Sequence, residues 1–143
     1  MQTKESKICR LIYYSTPTAN LAKQDLDAIL AESREHNTKW GITGLLAYDS
    51  SFFMQVLEGP EAEVTELFLR IGADTRHHSL RLVDVSQIEE ARFDDWVMAI
   101  AELPELPGKF LNQLYGGFNP PRFSAQIAVE YFEILRDYLR RTH

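Results

Sequence analysis

A glutamine and a tyrosine occupy positions where most neighbouring residues are apolar. Gln55 lies in FFMQVLEG (residues 52–59), a run of strand-forming residues whose alternation predicts a buried side chain. A buried carboxamide without partners costs roughly 1 to 3 kcal/mol, so its donors and its acceptor need hydrogen bonds. Tyr13, in KICRLIYYS (residues 7–15), could donate to the amide oxygen and leave the amide NH2 free for a third group. Such a pair could relay hydrogen bonds, but Tyr13 could also be an ordinary aromatic core residue with a satisfied hydroxyl.

The elements that would position this pair can be predicted from the spacing of apolar residues. A strand over 7–15 precedes a helix over 21–37 with an Asn20 cap, and Pro60 opens a second helix. Four further runs predict strands, and the turn cluster Asp49–Ser51 joins the first two as a hairpin. These runs are GITGLLAYD, SFFMQVLEG, SLRLVDVSQIEE and FDDWVMAI.

The resulting order, βαββαββ up to residue 100, predicts an α+β, ferredoxin-like fold with a five-stranded mixed sheet. The first and third strands are expected to be central neighbours, joined in parallel through the first helix and the hairpin. Alternation along the first strand puts Cys9, Leu11, Tyr13 and Ser15 on one face. A tyrosine can therefore lie beside Gln55.

Residues 103–143 differ in character and predict a C-terminal extension of two helices. The loop signals PELPG and NPPRFS bracket a short helix at about 109–114, and a longer helix begins at Ser124. The longer helix carries one apolar stripe, which consists of Ile127, Ala128, Tyr131, Phe132, Leu135, Tyr138 and Leu139. This stripe must be buried on the sheet or on a partner. Because the character of the sequence changes after residue 102, we divide the chain into a domain of residues 7–102 and an extension of residues 103–143.

Composition indicates one globular domain and argues against several functional classes. Among the 143 residues, 45% are hydrophobic and 25% charged, and the net charge of −6 provides no basic patch for nucleic acid. No apolar stretch approaches the length of a membrane span and no secretory signal is visible, which predicts a soluble, cytoplasmic protein. Cys9 is the single cysteine and is expected to be a core residue. The His77–His78 pair lacks helical metal spacing, so no metal site is predicted.

Four blocks, in order, resemble those of the BLUF family of blue-light sensors that use flavin. The blocks are RLIYYS, SREHNTKWGITGLLAYDSSFFMQVLEG, LFLRIGADTRHHS and ARFDDWVMAI. The resemblance covers about residues 8 to 102, and the short tail is similar to that of stand-alone BLUF proteins. It implies that the first two helices lie on the flavin-binding face and that the two C-terminal helices follow the sensor domain.

The resemblance also implies a role for each matching residue. Tyr13 matches the tyrosine that donates an electron and a proton, and Gln55 matches the switching glutamine between that tyrosine and the N5/O4 edge of the flavin. Trp96 and Met98 match residues of the last strand that adjoin the glutamine and carry the signal outward. The implied cofactor-binding residues are His36, Asn37, Gln55, Arg70, Asp74, Arg76 and His77. The cofactor expected from the family is FAD, with FMN and riboflavin as alternatives.

The resemblance implies a photoreceptor whose absorption moves to the red in blue light and whose signal is read by contact. The protein that receives the signal would be an unidentified signalling protein. The chain is also expected to form a homo-oligomer. One rival interpretation is a ferredoxin-like module for another small ligand, which would be colourless when purified. A flavin-dependent redox enzyme is the other, and against it the chain has no nicotinamide fingerprint and no nucleophile with a base. We therefore do not predict an enzyme.

Overall fold

The computed structural model describes residues 7–19, 21–105 and 115–142. The strands are β1 (Ile8–Pro17), β2 (Thr43–Tyr48), β3 (Phe53–Pro60), β4 (His77–Ile88) and β5 (Ala99–Glu102). The helices are α1 (Lys23–Trp40), α2 (Glu61–Gly72) and α3 (Ala125–Thr142), with short 3₁₀ turns at Leu103–Glu105 and Pro120–Arg122. The predicted βαββαββ order and five-stranded mixed sheet are confirmed. The short helix predicted at 109–114 lies outside the described residues.

The sheet has the order β4-β1-β3-β2-β5, so β1 and β3 are neighbours at its centre. They run antiparallel, and the prediction that they are parallel is wrong. The crossover through α1 returns the chain parallel to β1 at β2, and the tight hairpin then reverses it at β3. Antiparallel pairing still places Tyr13 directly opposite Gln55.

The first helix begins later than its sequence suggests. Its N-cap is Ala22, whose backbone N–H donates to the Asp25 carboxylate at 2.8 Å, so the predicted cap at Asn20 is wrong. The Asp25 carboxylate on the first turn thus accepts from the backbone N–H of the N-cap residue, which is the reciprocal half of a capping box. Asn20 itself lies outside the described residues.

Helices cover both faces of the sheet and create two hydrophobic clusters. On one face, α1 and α2 pack against the β1 side chains of Cys9, Leu11 and Tyr13. On the other face, α3 packs against a cluster that includes Ile12 and Met54. The buried residues of α3 are Ala128, Tyr131, Phe132, Leu135 and Leu139, which all belong to the predicted apolar stripe. The stripe is therefore buried on the sheet of its own chain.

The last strand is shorter than predicted. It begins at Ala99, so Trp96 and Met98 precede it, and the prediction that both lie on this strand is wrong. The backbone carbonyls of residues 96–98 accept hydrogen bonds from groups outside the β2–β5 ladder: Gly44 N, Asn37 Nδ2 and Arg34 Nε, at 3.3, 3.1 and 3.1 Å. These contacts fix the backbone of residues 96–98. Residues 92–98 have no regular secondary structure, and we call them the Met98 segment.

Gly44, in β2, lies where the backbone of β3 approaches closely. A Cβ atom added at this position would overlap the Val56 carbonyl oxygen. Because neither backbone can move without breaking the sheet ladder, we expect Gly44→Ala to lower the free energy of unfolding by about 1 to 3 kcal/mol. Urea unfolding measures this loss. Gly72→Ala is the matched control, since its Cβ would meet only Leu80 Cδ2 at 3.5 Å, and equal stability losses would contradict the assignment.

Candidate functional site

Tyr13 and Gln55 form a hydrogen bond at the centre of the sheet. The Tyr13 hydroxyl donates to Gln55 Oε1 at 2.6 Å, and each residue is only 4% exposed. Burial, together with the negative charge of Asp74, raises the pKa of Tyr13 above its ordinary value. Tyr13 therefore stays protonated at neutral pH, and its proton is aimed at the amide oxygen.

The other end of the Gln55 amide faces Met98. Gln55 Nε2 donates to Met98 Sδ at 3.4 Å, a weak hydrogen bond because a thioether is a poor acceptor. Met98 is 1% exposed and belongs to the cluster beneath α1 and α2. Trp96 packs instead against the cluster beneath α3. The two residues therefore face different layers, and only Met98 adjoins the glutamine.

A cavity of about 360 Å³ lies between α1 and α2, with Tyr13 and Gln55 at its wall. Its volume falls within the range typical of small-molecule and cofactor sites. The cavity is lined by these two residues and by Ile29, Glu32, Ser33, His36, Asn37, Leu46, Phe53, Leu67, Arg70, Ile71, Ala73, Asp74, Arg76 and His77. Every residue predicted to bind a cofactor thus lines one cavity, while Trp96 and Met98 are not among its lining residues.

Two buried polar atoms on α1 have no hydrogen-bond partner in the part of the chain that the structure describes. Asn37 is 1% exposed and donates through Nδ2 to Val97 O, but its Oδ1 accepts nothing. His36 contacts Arg70 through Nε2 at 3.0 Å, but its Nδ1 is unpartnered. Buried polar atoms normally have partners, and both residues line the cavity, so a polar ligand bound there could supply the missing partners.

Charged residues of both signs lie at the cavity mouth. Arg76 pairs with Asp74 at 2.6 Å and with Glu32 at 2.7 Å. Hydrogen bonds from Arg76 hold the pKa of Asp74 below its ordinary value. Arg70 is exposed, and its guanidinium lies over the Trp40 ring at 5.2 Å. Two carboxylates therefore offset the two guanidinium groups at the mouth.

His77 closes the cavity where β4 begins. Its Nε2 lies 2.6 Å from the Ile71 carbonyl oxygen and must therefore carry a hydrogen, because a carbonyl only accepts. Its Nδ1 lies 2.6 Å from the hydroxyl of Ser15. Both ring nitrogens already have partners, so His77 contributes a fixed wall beside the Tyr13 and Phe53 rings.

The family model described as "BLUF: Sensors of blue-light using FAD" matches residues 8–99 of this chain. The chain belongs to the BLUF family. It is a blue-light sensor domain that uses flavin, and three of the four residue blocks that suggested the family contribute residues to the cavity wall.

Other BLUF proteins resemble the chain over different lengths. The photoactivated adenylate cyclase subunit beta of Euglena longa is 33% identical over 100 residues, which are 69% of this chain and 12% of that protein. The BlrB dark-state structure is 30% identical with a TM-score of 0.78 and covers 96% of this chain and 98% of that one. The photo-activated state of BlsA is 32% identical with a TM-score of 0.81, covering 90% and 94%. The chain thus spans about an eighth of the curated relative's length but nearly all of the two small structures.

The cavity fits the ring of the flavin that BLUF proteins use. Asn37 Oδ1 is an unpartnered acceptor that suits an imide N–H, and the NH2 of Gln55 can turn toward a carbonyl or a ring nitrogen. Apolar side chains from both helices supply surfaces for the flat faces of a ring. The fit rests on a buried acceptor and on cavity shape, which are independent of the family assignment.

Sequence reasoning missed several residues that line the cavity. Glu32 lies on α1, where a charged side chain is indistinguishable from an ordinary solvent-exposed helix residue. Leu46 and Phe53 had been treated only as strand residues. Their positions could have been found, because Leu46 and Gln55 are cross-strand partners and Phe53 alternates with Gln55 on one face. No local signal distinguishes Ala73 from an ordinary helix end.

Proposed function

We propose that this BLUF chain senses blue light through a hydrogen-bond switch between Tyr13 and Gln55, beside a flavin bound without a covalent link. One observation carries the proposal: the 2.6 Å bond from the Tyr13 hydroxyl to Gln55 Oε1, at the wall of a cavity that also holds an unpartnered acceptor. An ordinary polar core would satisfy its own hydrogen bonds. The arrangement supports a switch that a ligand completes.

The switch depends on the ability of an amide to donate and to accept. A bound flavin, once excited by blue light, supplies a strong one-electron oxidant. Tyr13 can lose an electron and release its hydroxyl proton to Gln55 Oε1, to which it already donates. When both the electron and the proton return to Tyr13, the amide can remain rotated or tautomerised, with a new donor aimed into the cavity. A photon carries far more energy than separates two hydrogen-bond arrangements, so light can populate the minor arrangement and heat can restore the major one.

The residues proposed to hold the flavin are His36, Asn37, Gln55, Arg70, Asp74, Arg76 and His77. We assign the ring to Asn37 and Gln55, and the chain beyond the ring to Arg70, Asp74 and Arg76 at the mouth. His77 acts as a fixed wall rather than as a phosphate ligand, because its ring nitrogens are engaged. FAD is the proposed flavin. The near-neutral mouth gives no strong charge preference for phosphates, so FMN and riboflavin are alternatives.

We propose that residues 7–102 form the sensor and residues 103–143 an extension that passes on the signal by contact with another protein. Met98 contacts Gln55, and Trp96 lies in the cluster that α3 covers, so the pair can link the switch to α3. Self-association is also proposed, since Leu82 and Val85 are each 53% exposed on the edge strand β4. We propose that the chain acts in the cytoplasm and has no catalytic activity of its own.

Within the described ranges, no helix is both long enough and apolar enough to cross a membrane. In the same ranges, no three His, Cys, Asp or Glu side chains are grouped as metal ligands would be.

Absorption spectroscopy tests the proposed function. Purified protein loaded with flavin should show a small red shift of its absorption under blue light and recover in the dark. The shift is expected because a stronger hydrogen bond to the ring lowers its excited state relative to its ground state. Bleaching to the reduced flavin would contradict a hydrogen-bond switch, and an unchanged spectrum would mean that the cavity is not photoactive.

A further inference from the structure

Glu58 is a buried carboxylate on the face of β3 opposite the cavity. It follows Gln55 by three residues, so alternation points the two side chains to opposite faces. Glu58 is 1% exposed, although an ionised side chain is rarely buried without several donors. The flavin cavity does not use it. Its burial therefore needs a different explanation.

The donors to Glu58 come mainly from the Met98 segment. Glu58 Oε1 accepts the backbone N–H of Arg92 at 2.9 Å and that of Phe93 at 2.8 Å. Glu58 Oε2 accepts from Arg92 N at 3.2 Å and from Arg10 Nη1 at 3.3 Å. One carboxylate thus binds two successive backbone amides of a segment without regular secondary structure and is charge-balanced by Arg10.

The same segment is held on its outer side by α3. Arg140 binds Asp95 through two hydrogen bonds of 2.6 and 2.9 Å, and Arg136 Nη1 donates to Arg92 O at 2.9 Å. At its other end the segment places Met98 Sδ against Gln55 Nε2. Gln55 and Glu58 both lie on β3 and therefore contact opposite ends of the Met98 segment.

We propose that Glu58 is a positioning residue for the light switch: it fixes the start of the Met98 segment and thereby sets the contact of Met98 with Gln55. This inference rests on the proposed function. In the structure Gln55 Nε2 donates to Met98 Sδ; with this taken as the dark arrangement, the return from the lit arrangement must re-form that bond. A loosened segment presents Met98 less often in the correct place, so the return to the dark state slows.

Dark-recovery kinetics in a double-mutant cycle test the proposal. The flavin-loaded protein, Glu58→Gln, Met98→Leu and the double variant are illuminated, and the decay of the red shift is timed. Glu58→Gln replaces a charge-assisted acceptor by a weaker neutral one and should slow recovery about two- to tenfold. Met98→Leu should also slow it, and the double variant should match Met98→Leu because both changes remove the same contact. An unchanged rate in Glu58→Gln, or slowing factors that multiply, would overturn the proposal.

Glu133→Gln is the matched control, since Glu133 binds Arg92 of the same segment through an exposed pair at 2.8 Å. It should leave recovery within about a factor of 1.5, because exposed ion pairs contribute little. Slowing equal to that of Glu58→Gln would show a general effect of the segment and would overturn the specific role of Glu58.

Two further measurements keep the proposal testable if Glu58→Gln does not fold. The double variant Arg10→Met/Glu58→Leu removes the buried charges together, so neither is left unpaired, and it should slow recovery at least as much. In the unsubstituted protein, the Arg92 and Phe93 amides should exchange hydrogen at least about 100-fold more slowly than unprotected amides. Exchange at the unprotected rate would show that Glu58 does not hold these two amides, and it would overturn the proposal. If the unsubstituted protein shows no red shift, the proposed function fails, while the exchange rates still decide whether Glu58 clamps the segment.

Discussion

Replacing Tyr13 by phenylalanine should leave the protein yellow and remove its red shift in blue light. The substitution deletes the hydroxyl that donates to Gln55 Oε1 but keeps the ring that packs near Phe68, with ring centroids 5.8 Å apart. The cavity wall therefore keeps its shape and flavin still binds. Without the hydroxyl there is neither a proton for the amide nor an easily oxidised group at this position, so the rearrangement of Gln55 has no trigger. Difference spectra before and after illumination measure the loss.

Tyr14→Phe is the matched control for this experiment. Tyr14 is the next residue in β1, but it faces the cluster beneath α3 and packs on Phe52 at a centroid distance of 6.0 Å. Removal of the Tyr14 hydroxyl should leave the size of the red shift unchanged. A full red shift in Tyr13→Phe would show that another residue is the donor. Loss of the red shift in both variants would indicate a general effect on the fold.

The Tyr13–Gln55 pair could be predicted from the sequence because it depends on rules that act over short distances. Alternation gives the face of each side chain, and the order of the elements makes β1 and β3 neighbours. Both rules hold whether the strands run parallel or antiparallel. The pairing was therefore predicted correctly although the relative direction of the strands was not. To predict the direction of β3 relative to β1, one must count how often the chain reverses between them, through α1 and through the hairpin.

The path of the Met98 segment could not be predicted in the same way. FDDWVMAI alternates like a strand, and its residues are strand formers at several positions. In the structure, side chains distant in sequence compete for its backbone: Arg34 and Asn37 bind its carbonyls, while Glu58 binds its amides. Such tertiary contacts override local propensity and leave no mark in the segment's own sequence. The separation of Trp96 from Met98 follows from this irregular path.

Asn37 shows how a local pattern can compete with a proposed ligand-binding role. Near the end of a helix, asparagine is common as a C-terminal residue with a left-handed backbone, and that interpretation competes with ligand binding. The structure gives the left-handed conformation to Gly41 instead, with φ of 71°. Asn37 lies inside α1, lines the cavity and is 1% exposed; its Nδ2 is bonded to the Met98 segment, while its Oδ1 has no partner among the described residues. Helix capping therefore does not explain it.

Replacing Asn37 by alanine should weaken flavin binding by about tenfold or more, because one hydrogen bond to a buried group contributes on the order of 1 to 3 kcal/mol. The substitution removes Oδ1, which we propose accepts from the flavin ring, and Nδ2, which holds Val97 O at 3.1 Å. Loss of the second contact should also loosen the Met98 segment just before β5. Titration of apoprotein with flavin, followed by fluorescence quenching, measures the flavin affinities of the unsubstituted protein and of Asn37→Ala.

Two comparisons separate these contributions. Asn37→Asp keeps an oxygen toward the cavity and removes the donor to Val97, so a carboxyl that still accepts from the ring should retain more affinity than the alanine variant. Asn119→Ala changes an asparagine that precedes the 3₁₀ turn Pro120–Arg122 and is not among the cavity-lining residues, so its flavin affinity should equal that of the unsubstituted protein. Equal affinities in Asn37→Ala and Asn119→Ala would mean that the unpartnered oxygen of Asn37 does not bind the flavin, and the ring would then have to be placed elsewhere in the cavity.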